Sequence, residues 1–146
     1  MKQDYENNKR FQFDISYLDE PKVYDELTLF QIGDINCNRN FAISSHIQDY
    51  YEIIYVVSGK GCFFSDDKKY PVKQGDIYIN FPQQKHRGEA DKNDPFRYLY
   101  LGFMFNRHLY EEDLYSHIKK MLHKVELPVI KDQYEIVKIP FLLSVE

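Results

Sequence analysis

The sequence has no tryptophan, only two cysteines, and six glycines and six prolines among 146 residues. Cys37 and Cys62 cannot build a disulfide framework and lack the paired spacing of a zinc site. Both are expected to be small buried or half-buried thiols. Lys and Arg never gather into a run, and the net charge is −4. A nucleic-acid binder needs a basic footprint to neutralise phosphates, so this chain is not expected to bind DNA by itself. No apolar stretch approaches the roughly 20 residues of a membrane-spanning helix. Met1 to Arg10 is polar and carries no signal core, so no membrane contact and a cytoplasmic location are expected. Internal repeats and low-complexity tracts are also missing.

Aromatic residues, by contrast, are abundant: 13 Tyr and 11 Phe, within a composition that is 43% hydrophobic and 29% charged. That balance suits a single soluble domain with a real core. Aromatic side chains favour pleated, half-buried surfaces, so β structure is expected. Phe11, Phe13, Ile15 and Tyr17 alternate with polar neighbours, the period of two of a strand. Further strands are expected at Leu27–Ile32, Phe41–Ile47 and Tyr51–Val57, the last apolar on both faces. Ser58 to Gly61 reads as a tight turn into Cys62–Phe64, and Asp66 to Lys69 as a hairpin loop before Tyr70–Val72. Gly59, Gly61 and Gly75 are each expected to supply positive φ in a turn. Ile77–Phe81 and a long strand, Phe96–Phe105, follow. In the long strand Leu99, Leu101 and Phe103 share one face, while Tyr98 and Tyr100 share the other.

The period then changes. Leu114, Ile118, Met121, Leu122 and Val125 recur at helical spacing, predicting an amphipathic helix over 107–124 with Asn106 as its N-cap. His108, His117 and His123 are expected on its surface. About eight short strands followed by helix argue for a mostly β fold, a barrel or jelly roll with a C-terminal helix. The expected layout is an N-terminal arm at 1–10, the barrel at 11–105, and a helical segment at 106–146. Phe11 and Phe13 fit either a first barrel strand or an arm that closes a pocket.

One constellation stands out. His46, Gln48 and Glu52 share parity and, read as one strand, point to the same side. Gly59 follows, and later Gly75-Asp76, Pro82 and His86. This order resembles the two cupin motifs, in which three histidines and a glutamate hold a divalent ion inside a barrel. Gln48 stands where the second histidine belongs, Pro82 and His86 are one residue closer than usual, and Ala90 replaces a common asparagine. A neutral amide is a poor ligand for zinc or iron, so neither metal nor other cofactor is expected.

Three blocks together resemble the effector domain of AraC-family transcription regulators: Tyr50 to Gly61, then Gly75 to Ile79 with Pro82 and His86, then Phe96 to Phe105. The resemblance implies a cupin-like jelly-roll barrel that senses a small effector, often a sugar, and helices after it that form a homodimer. DNA would be contacted only through helix-turn-helix motifs beyond this chain. In such a barrel Tyr98 and Tyr100 would stack on a sugar, while His46, Gln48, Glu52 and His86 would fix its hydroxyls. No catalytic residue is expected. Two alternatives stand beside this reading. A facial triad of His46, His86 and Glu52 would make the chain a metal-dependent cupin isomerase or dioxygenase. A bare dimerisation module would have a filled barrel interior.

Overall fold

The computed structural model describes residues 13–106 and 128–132, together with positions 116, 120, 121, 123, 124 and 140. Eleven strands are formed among them. They are β1 (Asp14–Ser16), β2 (Lys22–Val23), β3 (Leu27–Asn36), β4 (Ala42–Ile47), β5 (Tyr51–Ser58) and β6 (Lys60–Ser65). The remainder are β7 (Lys68–Lys73), β8 (Asp76–Asn80), β9 (Lys85–Ala90), β10 (Arg97–Phe105) and β11 (Val129–Lys131). The large sheet runs β1-β3-β10-β5-β8-β11, with β2 also paired to β3, and the small sheet runs β4-β9-β6-β7. Every strand pair is antiparallel.

The turns follow from their residues. Gly59 takes φ +69° between β5 and β6, where a Cβ would also sit 2.4 Å from the Pro95 carbonyl oxygen. Asp66 and Asp67 both take positive φ between β6 and β7, the two-residue hairpin geometry that matches strand twist. Gly75 opens β8 at φ +82°. Gly61 departs from expectation: it lies inside β6 with no positive φ, and its role is space. A Cβ there would stand 2.6 Å from the Glu89 carbonyl oxygen and 2.9 Å from the Phe96 ring.

Parity on the central strands is as expected. Ile54, Val56, Tyr78, Tyr98 and Tyr100 gather with Phe63 and Phe96 in the core between the sheets. Tyr51, Tyr55, Ile77, Ile79 and Leu99 form a second cluster with Leu101 and Phe103 on the opposite face of the large sheet. Strands β5, β8 and β10 are therefore buried on both faces, whereas β4 is largely exposed. Cys37 is buried and Cys62 half-buried, both as thiols.

The C-terminal expectations need correction. Residues 106–146 are not uniformly helical, because Val129–Lys131 adds β11 to the edge of the large sheet against Asp76–Tyr78 of β8. Pro128 and the β-branched pair Val129-Ile130 suit an extended edge strand. Most of the helix expected at 107–124 lies outside the described residues, as does the arm at 1–10, and no helix is delimited among the described residues. Lys120, Met121 and His123 have helical backbone, and the Lys124 N–H donates to Lys120 O at 3.0 Å. His123 is exposed yet packs on Phe81 at 5.0 Å between ring centroids. Asn106, expected as a cap, uses its side chain elsewhere. Its Nδ2 donates to Tyr24 O at 2.6 Å and its Oδ1 accepts from the Thr28 hydroxyl at 2.7 Å.

Candidate functional site

A cavity of about 280 Å³ opens between the two sheets. Five of the six residues expected at a binding site line it: His46, Glu52, His86, Tyr98 and Tyr100. Gln48 is buried beside Glu52 but does not line the cavity; its Nε2 donates to Tyr50 O at 3.3 Å. The barrel interior is therefore not filled. One correction concerns how these residues come together. His46, Gln48 and Glu52 do not share a strand: His46 belongs to β4 in the small sheet and Glu52 to β5 in the large one. The chain turns at 48–50 and passes from one sheet to the other, so the two side chains stand on facing walls rather than side by side.

On the large-sheet wall, Gln31, Gly102, Glu52 and Asn80 occupy one row across β3, β10, β5 and β8. Glu52 Oε2 accepts from Gln31 Nε2 at 2.7 Å, and Oε1 accepts from Asn80 Nδ2 at 3.2 Å. Gln31 reaches Glu52 only because the residue between them has no side chain. A Cβ at Gly102 would stand 2.4 Å from Gln31 Cγ. The same device recurs one row away. Tyr100 leans across Gly33, where a Cβ would lie 2.3 Å from the ring, and its hydroxyl donates to the Asp14 carboxylate.

On the small-sheet wall, His46 and His86 face each other in register across β4 and β9, with ring centroids 4.2 Å apart. Each ring uses Nδ1 on a backbone carbonyl, His46 on Ser44 at 2.9 Å and His86 on Gln84 at 3.1 Å. A carbonyl can only accept, so Nδ1 carries the proton in both rings. Phe63 backs this wall, stacked on Tyr78 at 4.7 Å and edge-on to Tyr98 at 5.7 Å.

The electrostatics follow from burial. Glu52 is 9% exposed, and desolvation pushes its carboxyl up to about 7 against the opposing pull of Asn80, His46, Gln48 and Gln31. Burial lowers the His86 ring below its ordinary value, opposed by the Gln84 carbonyl and reinforced by His46. The Tyr98 hydroxyl is raised well above its usual value, chiefly by burial. Burial also raises Tyr100, with the Asp14 carboxylate adding to it. Both tyrosines are buried in the cavity wall rather than laid on a solvated face.

Buried polar atoms without partners in the protein are where a bound ligand or an ordered water would make its contacts. Among the described residues these are Gln48 Oε1, Tyr78 OH, Asn80 Oδ1 and His86 Nε2. Asn80 and His86 line the cavity. A larger groove of about 570 Å³, lined by Lys60, Lys69, Lys73 and Lys131 among others, contains none of the four. We therefore place the candidate site in the smaller cavity. The donor set does not fit the metal of the cupin motifs. Gln48 replaces one histidine, and no group of three His, Cys, Asp or Glu among the described residues is arranged to hold an ion.

The sequence missed Gln31, Asn80, Gly102 and Asp14. Asn80 left a signal, as the polar residue that ends a short strand of apolar and aromatic residues begun by Asp76 and buried throughout. Gln31, Gly102 and Asp14 left none, because only cross-strand register brings them to the site.

Two antiparallel sheets thus enclose a cavity of ligand size. The AraC-like ligand binding domain model matches residues 31–107, more than half of the chain, and the chain belongs to that family. Over 46 residues it is 33% identical to the uncharacterized HTH-type transcriptional regulator YfiF of Bacillus subtilis (strain 168), a match spanning 32% of this chain and 15% of that protein. Among solved structures, it is similar to a predicted oxalate decarboxylase from Thermotoga maritima, with TM-score 0.45 and 17% identity, covering 68% of this chain and 96% of that one. A cupin protein from Bacteroides fragilis is similar at TM-score 0.47 and 19% identity, covering 63% and 76%.

Proposed function

We propose that this chain is the effector-sensing domain of an AraC-type transcription regulator, and that the cavity between its sheets takes a carbohydrate or other small polar molecule. The observation that carries this reading is the pairing of buried, unpartnered Asn80 Oδ1 and His86 Nε2 with Tyr98 and Tyr100 on one lined cavity. Aromatic surface with a few convergent polar groups is what a sugar needs. A volume of about 280 Å³ lies at the small end of ligand sites, which favours a monosaccharide-sized molecule. The domain acts in the cytoplasm as part of a homodimer, and DNA is contacted by another domain of the regulator. It signals rather than catalyses. Effector binding shifts the balance between two arrangements of the regulator, by no more than its difference in affinity for them.

A thermal-shift screen of the domain against monosaccharides and divalent metals tests this. A ligand that binds only the folded state raises the melting temperature, by about 2.7 kcal/mol of stabilisation at a hundredfold excess over Kd. One sugar class should stabilise the domain, and His86→Ala or Asn80→Ala should abolish the effect. Stabilisation by iron, manganese or zinc alone, lost on adding chelator, would overturn the proposal in favour of a metal-dependent cupin enzyme.

A further inference from the structure

The unpartnered atoms on the cavity wall share one property: each accepts hydrogen bonds and none donates. His86 Nε2 is an acceptor because Nδ1 holds the ring proton against Gln84 O. Asn80 Oδ1 is fixed by the opposite end of the amide, whose Nδ2 donates to Glu52; flipping it would set oxygen against carboxylate. Gln48 Oε1 and the Tyr78 hydroxyl are unpartnered as well, but neither residue lines the cavity. Charge points the same way. Two carboxylates line the cavity, Glu52 in its floor and Asp14 on the exposed strand β1. The cation among the lining residues is Arg87, and it is already engaged. Its guanidinium pairs with Glu89 and lies 3.5 Å over the Phe64 ring. Tyr98, Tyr100, Phe41 and Phe63 add π-faces, which attract cations in a desolvated site.

Resting on the effector-binding reading above, we infer that the cavity selects a ligand bearing an ammonium group, donated to Glu52, Asn80 Oδ1 and His86 Nε2, over its neutral or anionic counterparts. An anion would bring further negative charge to a wall that already carries two carboxylates. A hydroxyl brings one proton, while an ammonium brings three and the compensating charge. The groups facing Glu52 from the packed strands are His46 on β4, His86 and Arg87 on β9, Asp14 on β1, Tyr78 on β8, Tyr98 and Tyr100 on β10, and Tyr50 just before β5. Burial holds the Glu52 carboxyl up at about 7, so a ligand that stays an ammonium should bind more tightly as pH rises towards that value. The carboxylate is its partner.

Calorimetry of the whole domain with glucosamine, glucose and glucuronate, at pH 5.5 and pH 7, where the sugar amine is still mainly an ammonium, is the test. Glucosamine should bind about tenfold or more tightly than glucose at pH 7, with glucuronate weakest. That margin should narrow at pH 5.5. In Glu52→Gln the ratio of glucosamine to glucose affinity should collapse towards one at both pH values. The pH comparison in the unmutated protein stands even if this variant folds poorly. Equal affinity for glucosamine and glucose, or a preference for glucuronate, would overturn the inference while leaving the cavity a binding site. No binding of any of the three would overturn both.

Discussion

The two walls of the cavity are built on different terms. The large-sheet wall rests on strands buried on both faces, and its polar groups are tied to one another: Gln31 and Asn80 hold Glu52, and Asp14 accepts from Tyr100. The small-sheet wall has an exposed back along β4, and its histidines are tied only to backbone carbonyls beside them. Each wall presents one unpartnered acceptor, Asn80 Oδ1 on the large sheet and His86 Nε2 on the small one, but only the first is preorganised by packing from both sides. A ligand would thus meet a fixed carboxylate on one side and a histidine pair on the side more able to adjust.

The sharpest way to break this comparison is to weaken the doubly buried wall from behind. Leu99 is fully buried on the far face of β10, so Leu99→Ala should cost about 2–5 kcal/mol, read from urea unfolding. Next comes pH. Glu52 keeps its proton to about 7 in the folded chain but only to about 4.5 when unfolded. Between those values the folded state binds more protons, so stability is full below about 4.5 and falls as pH rises to about 7. The loss is of order 3 kcal/mol at most, and Glu52→Gln should flatten this slope. Third, Gly102→Ala should displace Gln31 from Glu52 and cost roughly 1–3 kcal/mol. The smallest effect belongs to the thin wall: Ile47 on β4 is 59% exposed, so Ile47→Ala should stay within about 0.5 kcal/mol. Equal losses at Ile47 and Leu99 would erase the distinction between the walls.

Much of this architecture is legible in the sequence, and particular residues show where legibility stops. Alternation along Phe96–Phe105 separates Tyr98 and Tyr100 from Leu99 and Leu101 correctly, because side-chain direction is a property of one strand. The same logic fails for His46 and Glu52. Parity carries no information across the turn at 48–50, which sends the chain from one sheet to the other. Glycines divide in a similar way. Gly59 and Gly75 sit in turns that local sequence announces, while Gly33 and Gly102 make room for side chains on neighbouring strands and Gly61 for the Glu89 carbonyl and the Phe96 ring. Those neighbours are set by register, which a single sequence does not display. β11 hid behind Pro128 because three residues are too few for a periodic signal.

The most direct test of the central claim is a titration of the isotope-labelled domain with the best-binding sugar, followed by the backbone amide shifts in NMR. A site shared by both walls predicts coupled shifts at Gln31, Glu52, Asn80 and Tyr100 on one side and at His46 and His86 on the other, saturating at a single Kd. Shifts gathered instead around Lys60, Lys69 and Lys73, with the cavity residues unmoved, would contradict it.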